Sequence, residues 1–213
     1  MINLIWSGTN LIAIIDYGMG NLRSVEKAFH FIGYEAEISS DKDFILNADA
    51  VVLPGVGAFA DAMNNLDKNG MIDVVKNVIG SGKPFLGICL GMQLLFDYSE
   101  EGGQNCKGLG ILGGAIKLLP FGNLKVPHMG WNCLEISQQS PLFNGIRKKP
   151  YVYFVHSYYL DADDNDIVIA SANYGINFAV AVQKGNVFAT QFHPEKSGEV
   201  GLGMLKNFAT YKV

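Results

Sequence analysis

Apolar residues in the first half of the chain form short unbroken runs separated by stretches with helical spacing. "LIAIID" (11–16) and "ADAVVLPG" (48–55) have strand length and the continuous hydrophobicity of strands covered on both faces. Between them, "LRSVEKAFHFIG" (22–33) has apolar residues at 22, 25, 28, 29 and 32. That spacing predicts a helix, with Gly33 where a left-handed C-terminal glycine belongs. "YEAEI" (34–38) alternates, and a helical stretch around 59–80 leads into "KPFLGICLG" (83–91). The first 97 residues thus read strand, helix, strand, helix, strand, helix. This order predicts a mostly parallel sheet covered on both faces, with functional loops at the strands' C-terminal ends.

The second half changes rhythm. "AIKLL", "WNCLEI", "YVYFVHSYYL", "IVIASA", "FAVAVQ" and "NVFATQFH" are short β-rich segments separated by Gly, Asn, Asp or Pro. "GEVGLGMLKNFATYK" closes the chain with the pattern of a last helix. The expected architecture is one three-layer α/β domain over residues 11–213, its central sheet mostly parallel, flanked by helices and extended by antiparallel strands. Residues 1–10, "MINLIWSGTN", lack the basic start and long apolar stretch of a signal peptide and read as an extension.

Composition narrows the classes. With 49% hydrophobic and 17% charged residues, a large core is available and wholesale disorder is excluded. A net charge of −4 without a long Lys/Arg run argues against a nucleic-acid partner. No apolar run reaches the length of a membrane span. Cys89, Cys106 and Cys133 have no metal-ligand spacing, so neither a metal site nor a disulfide framework is expected. A reducing cytoplasm is the expected compartment. "YGMGNL" is too short of glycine for a dinucleotide fingerprint and no Walker pattern occurs, so no cofactor is expected.

One stretch calls for chemistry. "FLGICLGMQLLF" (85–96) sets Cys89 between Gly87 and Gly91 at a strand-to-helix joint. In such an elbow the nucleophile sits on a strained corner, and side chains two residues either way would clash. The helix that follows would aim N–H groups at an exposed sulfur and stabilise negative charge there. The competing reading is a buried filler cysteine. "ATQFHPEKS" (189–197) ends a strand with His193 and Glu195. The imidazole can serve as base and then acid, and the carboxylate can fix its tautomer. A strand-end histidine and a helix-start glutamate are the bland alternatives. "LPGVGAF" (53–59) can turn the N–H of Val56 towards the same point as that of Leu90, forming an oxyanion hole; an ordinary turn after a strand is the alternative.

"GICLGMQLLF", "FHPEKS" and "PGVGAF" together resemble the triad-type, class I glutamine amidotransferases, from about Leu11 to Val213. "DYGMGNLRSV" (16–25), "PGVGAF" and "VPHMGWN" (126–132) resemble, within them, the amidotransferase subunits of imidazole glycerol phosphate synthase. The resemblance implies hydrolysis of L-glutamine at Cys89, with His193 and Glu195 completing the triad. It implies Gly57, Gln93, Glu101, Ser157 and Tyr158 as the glutamine pocket, Glu101 facing the α-ammonium. It also implies a partner, a (β/α)8-barrel cyclase subunit that takes the ammonia to form imidazole glycerol phosphate and AICAR in histidine biosynthesis. Asn21, Trp131, Tyr153 and Lys196 are the matching interface positions. Glu101 and Lys196 as solvated charges, and Trp131 as a core residue, remain the alternatives. His128 receives no catalytic role, and His30 and His156 read as structural. Rival functions are an amidotransferase for another acceptor, such as anthranilate, GMP, carbamoyl phosphate or vitamin B6, a stand-alone γ-glutamyl hydrolase or cysteine peptidase, and an inactive binding module.

Overall fold

The computed structural model describes residues 10–103, 106–120, 122 and 124–212, so the expected extension falls, apart from Asn10, outside the described residues. The first half contains β1 (Ile12–Ile15), α1 (Leu22–Phe31), β2 (Ala36–Ser39), α2 (Lys42–Asn47), β3 (Ala50–Gly55), α3 (Phe59–Lys68), α4 (Met71–Gly80), β4 (Phe85–Cys89) and α5 (Leu90–Gln93). The second contains β5 (Tyr98–Ser99), β6 (Cys106–Lys107), β7 (Gly114–Leu118), β8 (His128–Cys133), β9 (Glu135–Ile136), β10 (Tyr151–His156), β11 (Tyr158–Ala162), β12 (Val168–Tyr174), β13 (Ile176–Lys184), β14 (Val187–Thr190) and α6 (Gly198–Thr210).

The main sheet runs β2-β1-β3-β4-β14-β13-β11-β7-β5-β6, with β12 and β9 branching from β13. Strands β2 to β14 in that order are parallel, whereas β13, β11 and β7 continue antiparallel. From β1 the chain passes to β2 on one side and then to β3 on the other. Such a reversal opens a crevice beyond the strands' carboxyl ends, where open α/β sheets bind ligands.

Alternation along β1 shows how the core is divided. Ile12 and Ile14 join one buried cluster with α1 and α6, while Ala13 and Ile15 join the other with α3 and α4. Helix α1 contributes Val25, Ala28 and Phe29, as the spacing predicts. Burying Phe29 contributes about 2–3 kcal/mol. The helix ends at Gly33, φ +86°, with Gly33 N–H donating to His30 O and Tyr34 N–H to Phe29 O. This Schellman pair satisfies carbonyls that the helix end would leave open.

Local geometry departs from expectation in several places. The stretch 59–80 is two helices, because Gly70 adopts φ +62° and breaks the run. Helix α2 was not anticipated; its six residues are too few to display a period, although Asp41 caps it by accepting from Phe44 N–H at 2.8 Å. The helix after Cys89 is only four residues long. Beyond it the carbonyls of Leu94, Leu95 and Phe96 accept from N–H groups of the 109–112 segment instead of continuing the helix. "YVYFVHSYYL" divides at Ser157: β11 enters the main sheet, while β10 pairs with β8 in a separate two-stranded ribbon.

Candidate active site

β3 and β4 lie side by side with Gly55 opposite Cys89, so the ends of both strands meet at the sulfur. Cys89 has φ +55° and ψ −112°, and among the described residues no other non-glycine has positive φ. The flanking glycines are steric requirements. An added Cβ at Gly87 would lie 2.8 Å from Gly91 O, and one at Gly91 would lie 1.8 Å from Leu53 O. The corner is therefore the strained elbow expected of a nucleophile.

The sulfur differs from expectation in exposure. Cys89 is only 7% exposed, because the strands and the Gln191 segment surround it. It nevertheless opens onto a cavity of about 310 Å³, whose lining also includes His193, Val56, Leu90, Gly57, Gln93, Glu101, Ser157 and Tyr158. Every residue predicted for the oxyanion hole and the glutamine pocket thus borders one space. A larger depression, about 790 Å³, lies between Ile136 and Lys148 and contains no nucleophile–base pair. Chemistry, rather than size, selects the smaller one.

His193 follows β14 in extended conformation, its N–H donating to Tyr153 O and its carbonyl accepting from Ser197 Oγ. Its Nδ1 meets Glu195 Oε1 at 2.8 Å, with both side chains almost fully buried. Nε2 makes no hydrogen bond of normal geometry, and Cys89 is the group it faces. Burial disfavours the charged ring, but Cys89 and then Glu195 outweigh it and push His193 up to about 10. That direction favours an imidazolium with a proton to give. Glu195 Oε2 is buried without a partner, so the imidazolium balances its charge.

The pocket residues are held with different firmness. Glu101 Oε2 accepts from Phe59 N–H at 2.6 Å, tying the carboxylate to the start of α3. Gln93 departs from a free pocket side chain: its Nε2 is occupied by Gln191 Oε1 at 2.8 Å and Tyr158 O at 3.3 Å. Tyr158 is shifted up by burial and by the nearby Glu101 and Glu100.

The predicted interface positions also gather. Trp131 and Tyr153 are paired across β8 and β10, their rings 6.2 Å apart and edge-on. Lys196 Nζ lies 6.0 Å from the Tyr153 ring centre, and Asn21 borders a crevice with Val56, His193 and Glu195. Trp131 is 57% exposed, which rules out the core reading, and Met129 and Tyr151 are exposed on the same ribbon.

Sequence reasoning missed several groups. Gln191, fully buried, donates from Nε2 to Cys89 Sγ at 3.8 Å. Its position two residues before His193 was the available signal. His156 lines the cavity, and its Nε2 meets His128 Nδ1 at 2.9 Å. Tyr17 is buried with an unpartnered hydroxyl and is shifted up by burial and by Cys89. Among the described residues no three of His, Cys, Asp and Glu are grouped as metal ligands would be, and all three cysteines are free thiols.

Comparison with known proteins agrees with this geometry. Residues 13–211 match the glutamine amidotransferase class-I family. A Caldanaerobacter subterraneus protein, imidazole glycerol phosphate synthase subunit HisH, is 56% identical over 93% of this chain and 97% of its own length. Proteins of the same name from Bacillus cereus and Geobacter metallireducens are 54% and 52% identical, covering 93% and 94% of this chain and 93% and 98% of their own. The chain belongs to the class-I glutamine amidotransferase family, in its HisH branch. Two solved structures carry the same fold at 21% identity: a glutamine amidotransferase (TM-score 0.72; 93% of this chain, 99% of that one) and PurLQS from Thermotoga maritima (TM-score 0.70; 95% and 98%). No helix among the described residues is long and apolar enough to cross a membrane.

Proposed function

We propose that this chain is the glutaminase subunit of an imidazole glycerol phosphate synthase, hydrolysing L-glutamine at Cys89 and passing the ammonia to a cyclase subunit in histidine biosynthesis. The observation that carries the reading is the cavity in which the strained Cys89 and His193, the latter held from behind by Glu195, face the expected pocket residues.

The sulfur attacks the side-chain amide carbon, and the N–H groups of Val56 and Leu90 hold the oxyanion. With α5 only four residues long, these individual N–H groups matter more than a helix dipole. The His193 imidazolium protonates the departing nitrogen, releasing ammonia and leaving a glutamyl thioester on Cys89. His193, now neutral, takes a proton from water, whose oxygen attacks the thioester carbon and displaces the sulfur, giving glutamate and restoring the thiolate beside a protonated His193. Glu101 faces the substrate's α-ammonium, and Gly57, Gln93, Ser157 and Tyr158 complete the pocket.

The exposed Trp131, with Tyr153, Lys196 and Asn21, forms the docking face for a (β/α)8-barrel cyclase that converts the ammonia into imidazole glycerol phosphate and AICAR. Aromatic side chains of this exposure suit interface anchors. We place the reaction in the cytoplasm, where three free thiols persist.

The test is to mix the chain with a cyclase subunit and follow glutamate release. The cyclase switches release on, and Trp131→Ala lowers its apparent affinity at least about tenfold. Full turnover by the chain alone, unchanged by the cyclase, would mean a self-sufficient hydrolase.

A further inference from the structure

Two glutamines meet behind the nucleophile, and their orientation is fixed by groups that have no choice. Tyr158 O can only accept, and it receives His156 Nδ1 at 2.8 Å and Gln93 Nε2 at 3.3 Å. Gln93 Nε2 therefore points its other hydrogen at Gln191, whose Oε1 accepts at 2.8 Å. With its oxygen so committed, Gln191 must turn its amide nitrogen away, and Nε2 lies 3.8 Å from Cys89 Sγ.

The backbone explains why this amide is available. Thr190 pairs with Ile88 across β14 and β4, so the next residue along, Gln191, comes alongside Cys89. Gln191 N–H donates to Val180 O at 2.8 Å, which pins the main chain. Beyond β14 the chain bends at Gln191 and Phe192. Gln191 presents its amide to the same sulfur that the His193 ring faces.

We propose that Gln191 is a positioning residue for the nucleophile: its amide N–H holds the Cys89 sulfur in the rotamer that faces the cavity and stabilises negative charge on it. An N–H donor binds a charged sulfur more strongly than a neutral one. The contact is strongest before attack and weakens once the sulfur is acylated. For its kinetic arm this inference rests on the glutaminase reading; for its chemical arm it needs only the thiol.

The experiment replaces Gln191 by Met, which fills similar space without a donor, and measures iodoacetamide alkylation of all three cysteines in the full-length chain. Loss of the donor slows Cys89 about tenfold and leaves Cys106 unchanged. Loosened packing would instead speed Cys89, so the direction separates positioning from a merely structural role. In the complex with the cyclase, kcat for glutamate release falls about tenfold or more while KM moves less than about threefold. Should Gln191→Met fail to fold, the unaltered chain still decides the matter. One side-chain amide proton of Gln191 shifts in the NMR spectrum when Cys89 is alkylated. Cys89 alkylation at or above the original rate in Gln191→Met, or unmoved Gln191 amide protons, overturns the proposal. Slowed alkylation in a chain that releases no glutamate would keep the positioning role and discard the glutaminase reading.

Discussion

Gly91 is where the elbow makes its sharpest quantitative demand. An alanine Cβ there would meet Leu53 O at 1.8 Å and Leu53 C at 2.8 Å, both backbone atoms of a fully buried strand. Ordinary contact requires roughly 1.5 Å more than the first distance. Neither side can give easily, because β3 is paired with β1 and β4 and its residues are buried throughout. Overpacking alone costs about 1–3 kcal/mol, and a clash between two pinned backbones raises this to about 4 kcal/mol or more. That is a large fraction of the roughly 5–15 kcal/mol that holds a domain of this kind together. Gly80→Ala is the internal control: an added Cβ there meets nothing within 4 Å, at the end of α4. It should stabilise by about 0.5 kcal/mol through the unfolded state. Urea titration of both variants reads the difference, and glutamate release with the cyclase reads the elbow. The steric account is refuted if Gly91→Ala unfolds within about 1 kcal/mol of the original chain and keeps its activity.

Two further predictions concern charge. Glu195→Gln preserves shape but removes the charge that helps hold His193 near 10; glutamate release in the complex falls about a hundredfold or more, and the urea midpoint at pH 7 falls too, because the buried ring loses its counter-charge. The buried His128–His156 pair is shifted down to about 4 on both rings, chiefly by burial. The unfolded chain binds these protons from about pH 6.5 downward and the folded chain does not. Stability is therefore full above about pH 6.5 and is lost as pH falls through 4, by about 2 kcal/mol per ring at pH 5. His193 acts oppositely: its contribution is full below about pH 6.5 and is lost as pH rises through about 10. Urea titrations at pH 5 and 7 check the pair, and His128→Phe should remove roughly half of the acid-side loss.

The continuous runs at 11–16 and 48–55 gave away the buried strands, and the 22–33 spacing gave away α1 with its terminal glycine. The elbow was equally legible, because a glycine pair around a cysteine reports a backbone constraint within a few residues. What stayed hidden depends on partners remote in sequence. Nothing local in "YVYFVHSYYL" states that β10 leaves the main sheet to pair with β8, since that choice is made by a strand more than fifteen residues earlier. The short helix after Cys89 was overextended for the same reason: the 109–112 segment competes for its carbonyls. The interior hydrogen-bond chain from His128 through His156, Tyr158 O and Gln93 to Gln191 combines five segments. No single stretch of sequence contains it.

The most direct measurement is covalent capture of the nucleophile. The chain, in complex with a cyclase subunit, is treated with a glutamine-shaped alkylating analogue and its peptides are weighed by mass spectrometry. A single modification on Cys89, prevented by excess L-glutamine and absent in Cys89→Ala, is the expected result. Modification at Cys106 or Cys133 with Cys89 untouched and activity lost would contradict it.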